Sequence, residues 1–325
     1  MKTTVHSLPP SQACPFHVDA VQYLPEQPYK KGFTLVFFHA MNTHKEQFET
    51  AIGYLLQQPH RIRDVWCIEN PNHGSSAVKN RALLDTPEYR DKCTLLIEGF
   101  WTSMEYSRAA HTFLTSTSHG IDFGSRNLVG LAHSAGSASL FLLQQIQPPI
   151  PFHALILMDA AILPIGTPGT RVLTRLFGTW AKTKPNTWSD RAAAHAELSK
   201  TAFRRWHPSA VDLFVKHAIG PVDERVPEGA VTLRCSTRQE VAFFLGPTAD
   251  LVDTPTEIFL HLTKEDKLPI HSLRMTQGSV QIVEGGHMFP QTEPAGCARA
   301  IAQALERVWT QLQTRGVEVN SVSRL

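Results

Sequence analysis

Cysteine is scarce in this chain of 325 residues: five in all (Cys14, Cys67, Cys93, Cys235, Cys297), scattered and odd in number. With no Cys-x-x-Cys pair they point to no zinc site and no disulfide framework, so we expect reduced, mostly buried thiols in an intracellular compartment. Charge of one sign is scarce as well, since 31 Lys and Arg against 29 Asp and Glu leave a net +2. Bulk electrostatics therefore give no reason to expect a nucleic-acid partner. No apolar run approaches the roughly 20 residues that a membrane-spanning helix needs. The opening stretch MKTTVHSLPPSQACPFH has no continuous apolar segment, and no secretory leader is expected from it. Internal repeats and low-complexity tracts are absent too. What remains is material for a core, 42% hydrophobic and 18% charged, enough for one large α/β domain carrying an insertion.

Apolar runs alternate with helical patterns, the rhythm of a mostly parallel sheet covered on both faces. FTLVFF (33–38), DVWCIE (64–69), NLVGLA (127–132) and FHALILMD (152–159) read as strands, and TEIFLHL (256–262) and SVQIVEGGH (279–287) resume the series. Helices are predicted over 44–58, 95–117, 135–146 and 293–312. Between Asp159 and residue 254 the rhythm breaks, with helix-like pieces carrying Trp180, Trp188 and Trp206. The expected organisation is a core over 1–159 and 254–315, a helical cap inserted at 160–253, and a flexible tail at 316–325.

Ser134 stands in VGLAHSAGSASL, where a strand gives way to a helix through small residues. On such a strained turn only small neighbours fit two positions to either side, and the hydroxyl projects clear of the backbone. A simple αβ turn would explain the small residues equally well, so the motif needs partners. His287, in VEGGHMFP just past the last predicted strand, is placed to act as general base. Two carboxylates compete for its second nitrogen: Asp159 at the end of LILMD, and Asp266 in LTKEDKLP one strand later. The backbone amide of Ala135 and that of Met41, in the HAMN stretch after strand 33–38, are the expected oxyanion donors.

Taken in order, HAMN, NPNHGSS, AHSAG, LMDAAI, TKEDKLP and EGGHMFP resemble the landmarks of the α/β-hydrolase superfamily over about residues 33–312, with Ala132 in place of the usual first glycine. Within it the chain is similar to fungal peroxisomal hydrolases of secondary metabolism, those of host-selective toxin pathways and the mycophenolic acyl-CoA hydrolase. The resemblance implies an α/β-hydrolase fold with its cap after the sixth strand and a serine hydrolase acting on an ester or an acyl-CoA thioester, with no cofactor and no metal. In the mycophenolic relative the acid follows the strand after the nucleophile, which maps to Asp159, whereas local pattern favours Asp266. Both stay open.

His39, His133, Trp180, Trp206, Arg204 and Arg205 are the expected substrate-binding residues. Between 165 and 220 nine Lys or Arg face three acids, a local +6 that would attract the phosphates of CoA, although charge on helices is commonly a solvated face. The chain ends Ser323-Arg324-Leu325, a variant of the S-K-L address, implying a peroxisomal import receptor as partner and, without it, a cytoplasmic location. Two rival functions share this pattern: a cyclase, lyase or isomerase on the same scaffold, and a non-catalytic binding protein.

Overall fold

Phe33, Leu35 and Phe37 alternate along one strand with Thr34, Val36 and Phe38, and all six are buried. A strand covered on both faces belongs in the middle of a sheet with helices on either side. The computed structural model of the chain has that arrangement and describes residues 1–59, 61–86, 89, 103–160, 170–240, 257–263, 278–283 and 285–314.

The first six described strands are β1 (Lys2–Leu8), β2 (Val18–Leu24), β3 (Phe33–Phe38), β4 (Ile62–Ile68), β5 (Asn127–His133) and β6 (Phe152–Met158). Three short ones follow, β7 (Thr187–Trp188), β8 (Ile219–Pro221) and β9 (Val231–Leu233), before β10 (Glu257–Thr263) and β11 (Gly278–Val283). The main sheet runs β1-β2-β4-β3-β5-β6-β10-β11. β1 and β2 are antiparallel to their neighbours, and every pairing from β4 to β11 is parallel. The fold is thus α/β with a mostly parallel central sheet.

The described helices are α1 (Glu49–Leu56), α2 (Gly74–Leu84), α3 (Ser103–Thr115), α4 (Gly136–Leu143), α5 (Thr170–Thr183), α6 (Arg191–Lys200), α7 (Pro208–His217), α8 (Phe289–Thr292) and α9 (Pro294–Thr314). α1 and α9 cover one face of the sheet, with Ile52, Leu55, Ile301 and Val308 packed around Phe33, Leu35 and Phe37. On the other face α3 and α4 bring Tyr106, Phe113 and Leu140 against Val36, Phe38 and Leu157. Both layers bury full apolar side chains, the dominant favourable contribution to folding.

Two features differ from the sequence expectation. β1 and β2 were not anticipated, because six of the seven residues of β1 are exposed or half-buried and KTTVHSL carries no apolar alternation. Its strand character comes from pairing with β2 along its whole length. The segment read as a helical cap, made of helix-like pieces with no strand comparable to those of the core, also carries a small sheet of short strands, ordered β7-β9-β8, which corrects the purely helical description. Strands of two or three residues are too short to leave a period in the sequence. α6, α7 and these strands share a cluster of their own around Trp188, Leu198, Val211, Phe214 and Val231.

Among the described residues no helix is long and apolar enough to cross a membrane. Cys14, Cys67, Cys235 and Cys297 are buried free thiols. Cys93, Asp266 and the Ser323-Arg324-Leu325 end lie outside the described residues.

Candidate active site

Ser134 sits at the junction of β5 and α4 with φ +51, in the left-handed region that a non-glycine residue rarely adopts. Its backbone N–H donates to the Met158 carbonyl at 3.1 Å, which ties the turn to the end of β6. Gly136 makes the turn possible. A Cβ there would lie 2.6 Å from the Phe38 carbonyl oxygen and 2.7 Å from that of His39, so α4 can start only with a hydrogen at that point. Ala132, in contrast, packs its methyl into the core without conflict.

Asp159 follows β6 with φ +45 and is buried. The structure brings Ser134, His287 and Asp159 together from three separate strand ends. His287 Nδ1 donates to Asp159 Oδ2 at 2.5 Å. Its Nε2, left unprotonated, accepts from the Ser134 hydroxyl at 2.9 Å. The imidazole is half exposed and the carboxylate 6% exposed, so the ring faces the solvent side while its anion is shielded.

His39 and His133, expected to touch substrate, instead lie in the interior, which corrects that expectation. His39 Nδ1 donates to the Ala40 carbonyl at 2.9 Å, and its Nε2 accepts from the Asn70 N–H at 3.0 Å. His133 Nε2 donates to the His287 carbonyl at 2.8 Å, with ring centroids 5.2 Å apart. Each holds backbone on which the site depends, and neither has a ring nitrogen turned to solvent. A histidine beside Ser134 is read as a ligand contact in sequence only because burial is invisible there.

The loop after β3 is pinned from several directions. The Ala40 carbonyl accepts from Thr43 Oγ1 at 2.6 Å, from Thr43 N at 3.3 Å and from His39. In a planar trans peptide the N–H points opposite to the carbonyl, so the Met41 N–H is aimed away from those donors. Asn42, at φ +60, gives its N–H to His73 Nε2 at 3.0 Å. No described residue accepts from the N–H of Met41 or of Ala135. His73, Asn42 and Thr43 were missed as site residues, though HAMN and NPNHGSS were marked as landmarks. Their contribution is to orient the loop, and nothing in residue type announces it.

Trp206 stacks on Phe203 with ring centroids 3.7 Å apart, and it packs as part of the smaller cluster. Trp180 is 49% exposed, with Lys184 Nζ 4.4 Å from its ring centroid. Arg204 and Arg205 are exposed on the turn after α6. Among the links from this segment to the site's own elements, His207 N donates to the Gln291 carbonyl in α8 at 2.8 Å. Among the described residues no group of three His, Cys, Asp or Glu side chains is placed to hold a metal ion.

Burial pushes the imidazoles of His39 and His133 down from the ordinary 6.5 to about 3. An unfolded chain would protonate both near 6.5, so it binds more protons than the folded chain below that pH. Stability is complete above 6.5 and is lost as pH falls towards 3, by roughly 2.7 kcal/mol per pH unit for the two together. His73 and His217 are depressed by burial too and steepen the slope. Asp19 and Asp64, held below the ordinary carboxylate range, begin to contribute only near pH 4. Urea unfolding at pH 7, 6 and 5 is therefore expected to give a falling midpoint, and a flat one would contradict the buried neutral state of these rings.

Sheet order, the strained Ser134 turn and three strand ends meeting at one point define a class, the α/β-hydrolases. The chain belongs to the alpha/beta hydrolase family, whose profile matches residues 35–300. It is similar to the abhydrolase domain-containing protein ACTT2 of Alternaria alternata, 24% identical over 223 residues that cover 55% of this chain and 83% of that protein. Among solved structures it is similar to the peroxisomal alpha-beta-hydrolase Lpx1 from Saccharomyces cerevisiae, at TM-score 0.68 and 17% identity, over 95% of this chain and 89% of that one. The thioesterase domain from the curacin biosynthetic pathway aligns at TM-score 0.60 and 14% identity, over 94% of this chain and 100% of the domain. At these identities the structural likeness is one of fold.

Proposed function

We propose that the protein is a serine hydrolase that cleaves a carboxylic ester or an acyl-CoA thioester. Ser134 is the nucleophile, His287 the general base and acid, and Asp159 the carboxylate that orients it. One observation carries the reading: the continuous chain from Ser134 Oγ through His287, at 2.9 Å, to Asp159, at 2.5 Å. In the reaction the Ser134 oxygen bonds to the substrate carbonyl carbon while its proton passes to His287 Nε2. Asp159 stabilises the imidazolium, and the N–H groups of Met41 and Ala135 donate to the oxyanion. Each such donor contributes roughly 3–4 kcal/mol to the transition state. The imidazolium protonates the departing alkoxide or thiolate, leaving an acyl-serine. A water, deprotonated by His287, then attacks that ester and releases the acid and the free serine.

Residues 160–253 are proposed as the cap over this site, with Trp180, Trp206, Arg204 and Arg205 towards the substrate and its CoA phosphates. The local +6 between 165 and 220 supports the phosphate part. The terminal Ser-Arg-Leu, together with likeness to a hydrolase described as peroxisomal, supports import into peroxisomes, and a role in fungal secondary metabolism is proposed from the resemblance carried by HAMN, AHSAG and EGGHMFP. A panel of acyl-CoAs and matched simple esters, assayed across a salt series with products identified by mass, tests the proposal. The expected result is free acid from both classes, with the CoA compound favoured at low salt. Isomerised or cyclised product without acid would favour the rival on the same scaffold, and a CoA compound with no advantage at any salt would remove the phosphate contact.

A further inference from the structure

Asn42 is held twice. Its backbone N–H goes to His73, and its side-chain amide donates to Glu240, 198 positions later in the chain. Glu240 is fully buried, and Lys184 Nζ reaches both of its oxygens, at 2.8 and 2.7 Å. Lys184 comes from just beyond the end of α5, is itself largely buried, and lies over the Trp180 ring. A buried carboxylate next to a site where negative charge develops is an obstacle unless it is neutralised, since unlike the solvent it cannot turn away. The ion pair removes that obstacle while the carboxylate keeps its role as acceptor for Asn42. Burial raises the Glu240 carboxyl and the Lys184 ammonium opposes that shift.

We propose that the Glu240–Lys184 pair is a positioning device for the oxyanion loop: Glu240 holds Asn42 in its left-handed conformation, so that Met41 N–H stays aimed at the reacting carbonyl, and Lys184 cancels the charge of the holder. The inference rests on the proposed role of Met41. It makes the oxyanion hole depend on residues 184 and 240, far from β3 in sequence, and explains why a non-glycine residue persists at φ +60 in this loop. Glycine would adopt that angle at no cost, whereas asparagine supplies the tether that glycine lacks.

The test uses the full chain, a p-nitrophenyl ester and the rate of labelling by a fluorophosphonate probe. Lys184→Met leaves the carboxylate unbalanced beside the hole, and kcat is expected to fall about 10- to 100-fold with KM changed less than about threefold. Lys184→Met with Glu240→Gln removes both charges but keeps an acceptor for Asn42, and kcat is expected to recover to within about fivefold of the parent. Lys184→Met with Glu240→Ala lacks the acceptor and is expected to stay slow. Asn42→Gly, which accepts φ +60 freely and so should fold, is expected to lose about 10-fold in kcat through loss of the tether alone. Additive losses in the Gln double variant, or an Asn42→Gly enzyme as fast as the parent, would overturn the device. A parent chain that takes no label at Ser134 would instead overturn the serine-hydrolase reading itself.

Discussion

Replacing Ser134 with Ala is expected to reduce turnover of any ester or thioester substrate by about a million-fold while the fold survives. The two halves of that expectation have separate causes. Among the described residues the hydroxyl makes one hydrogen bond, to His287 Nε2, so its removal takes away the nucleophile of the proposed mechanism. The fold does not depend on the same atom. The turn is held by the Ser134 N–H on Met158 and by the absence of a side chain at Gly136, and both persist in the variant. Alanine at φ +51 is strained as serine is, so stability should stay within about 1 kcal/mol of the parent. Steady-state turnover, labelling by a fluorophosphonate and thermal unfolding on one preparation make the check. Residual turnover above a thousandth of the parent would show that Ser134 does not carry the reaction.

Asp159→Asn is the second large effect, with an expected loss in kcat of about 10⁴. The carboxylate accepts from His287 Nδ1–H at 2.5 Å, which fixes the tautomer that leaves Nε2 free to take the serine proton. An amide at that position can present its NH₂ to Nδ1 and so favour the opposite tautomer, in which Nε2 carries a hydrogen and cannot act as base. It also withdraws the negative charge that stabilises the imidazolium. KM should change little, because the carboxylate is buried and faces the ring, not the substrate side. The ¹⁵N chemical shifts of the His287 ring report the tautomer directly, and kcat measured against pH reports the base. Asp266→Asn in parallel is expected to leave both unaltered. A loss at Asp266 without one at Asp159 would reverse the assignment of the acid.

Much of this site was legible in local sequence. A buried strand running into small residues, a serine and then a helix is a pattern that covalent geometry enforces within a few positions, and Gly136 is there because two carbonyl oxygens occupy the space of its Cβ. The parallel strands were legible for a similar reason, since a strand covered on both faces is apolar at most of its positions. The N-terminal strands were not, because β1 owes its form to a partner and not to its own burial. Nor were the roles of His39 and His133. Three of their four ring nitrogens are committed to the carbonyls of Ala40 and His287 and to the N–H of Asn70, a use that residue type does not disclose.

Pattern along the chain was enough to indicate the kind of sheet, the turn that carries Ser134 and the histidine past the last strand. These depend on burial and backbone sterics acting over a few residues. The choice of which carboxylate meets that histidine, and the bond from Asn42 to a glutamate 198 positions away, were decided only by folding. Hydrogen bonds of that kind are set by where strand ends and distant segments converge in space.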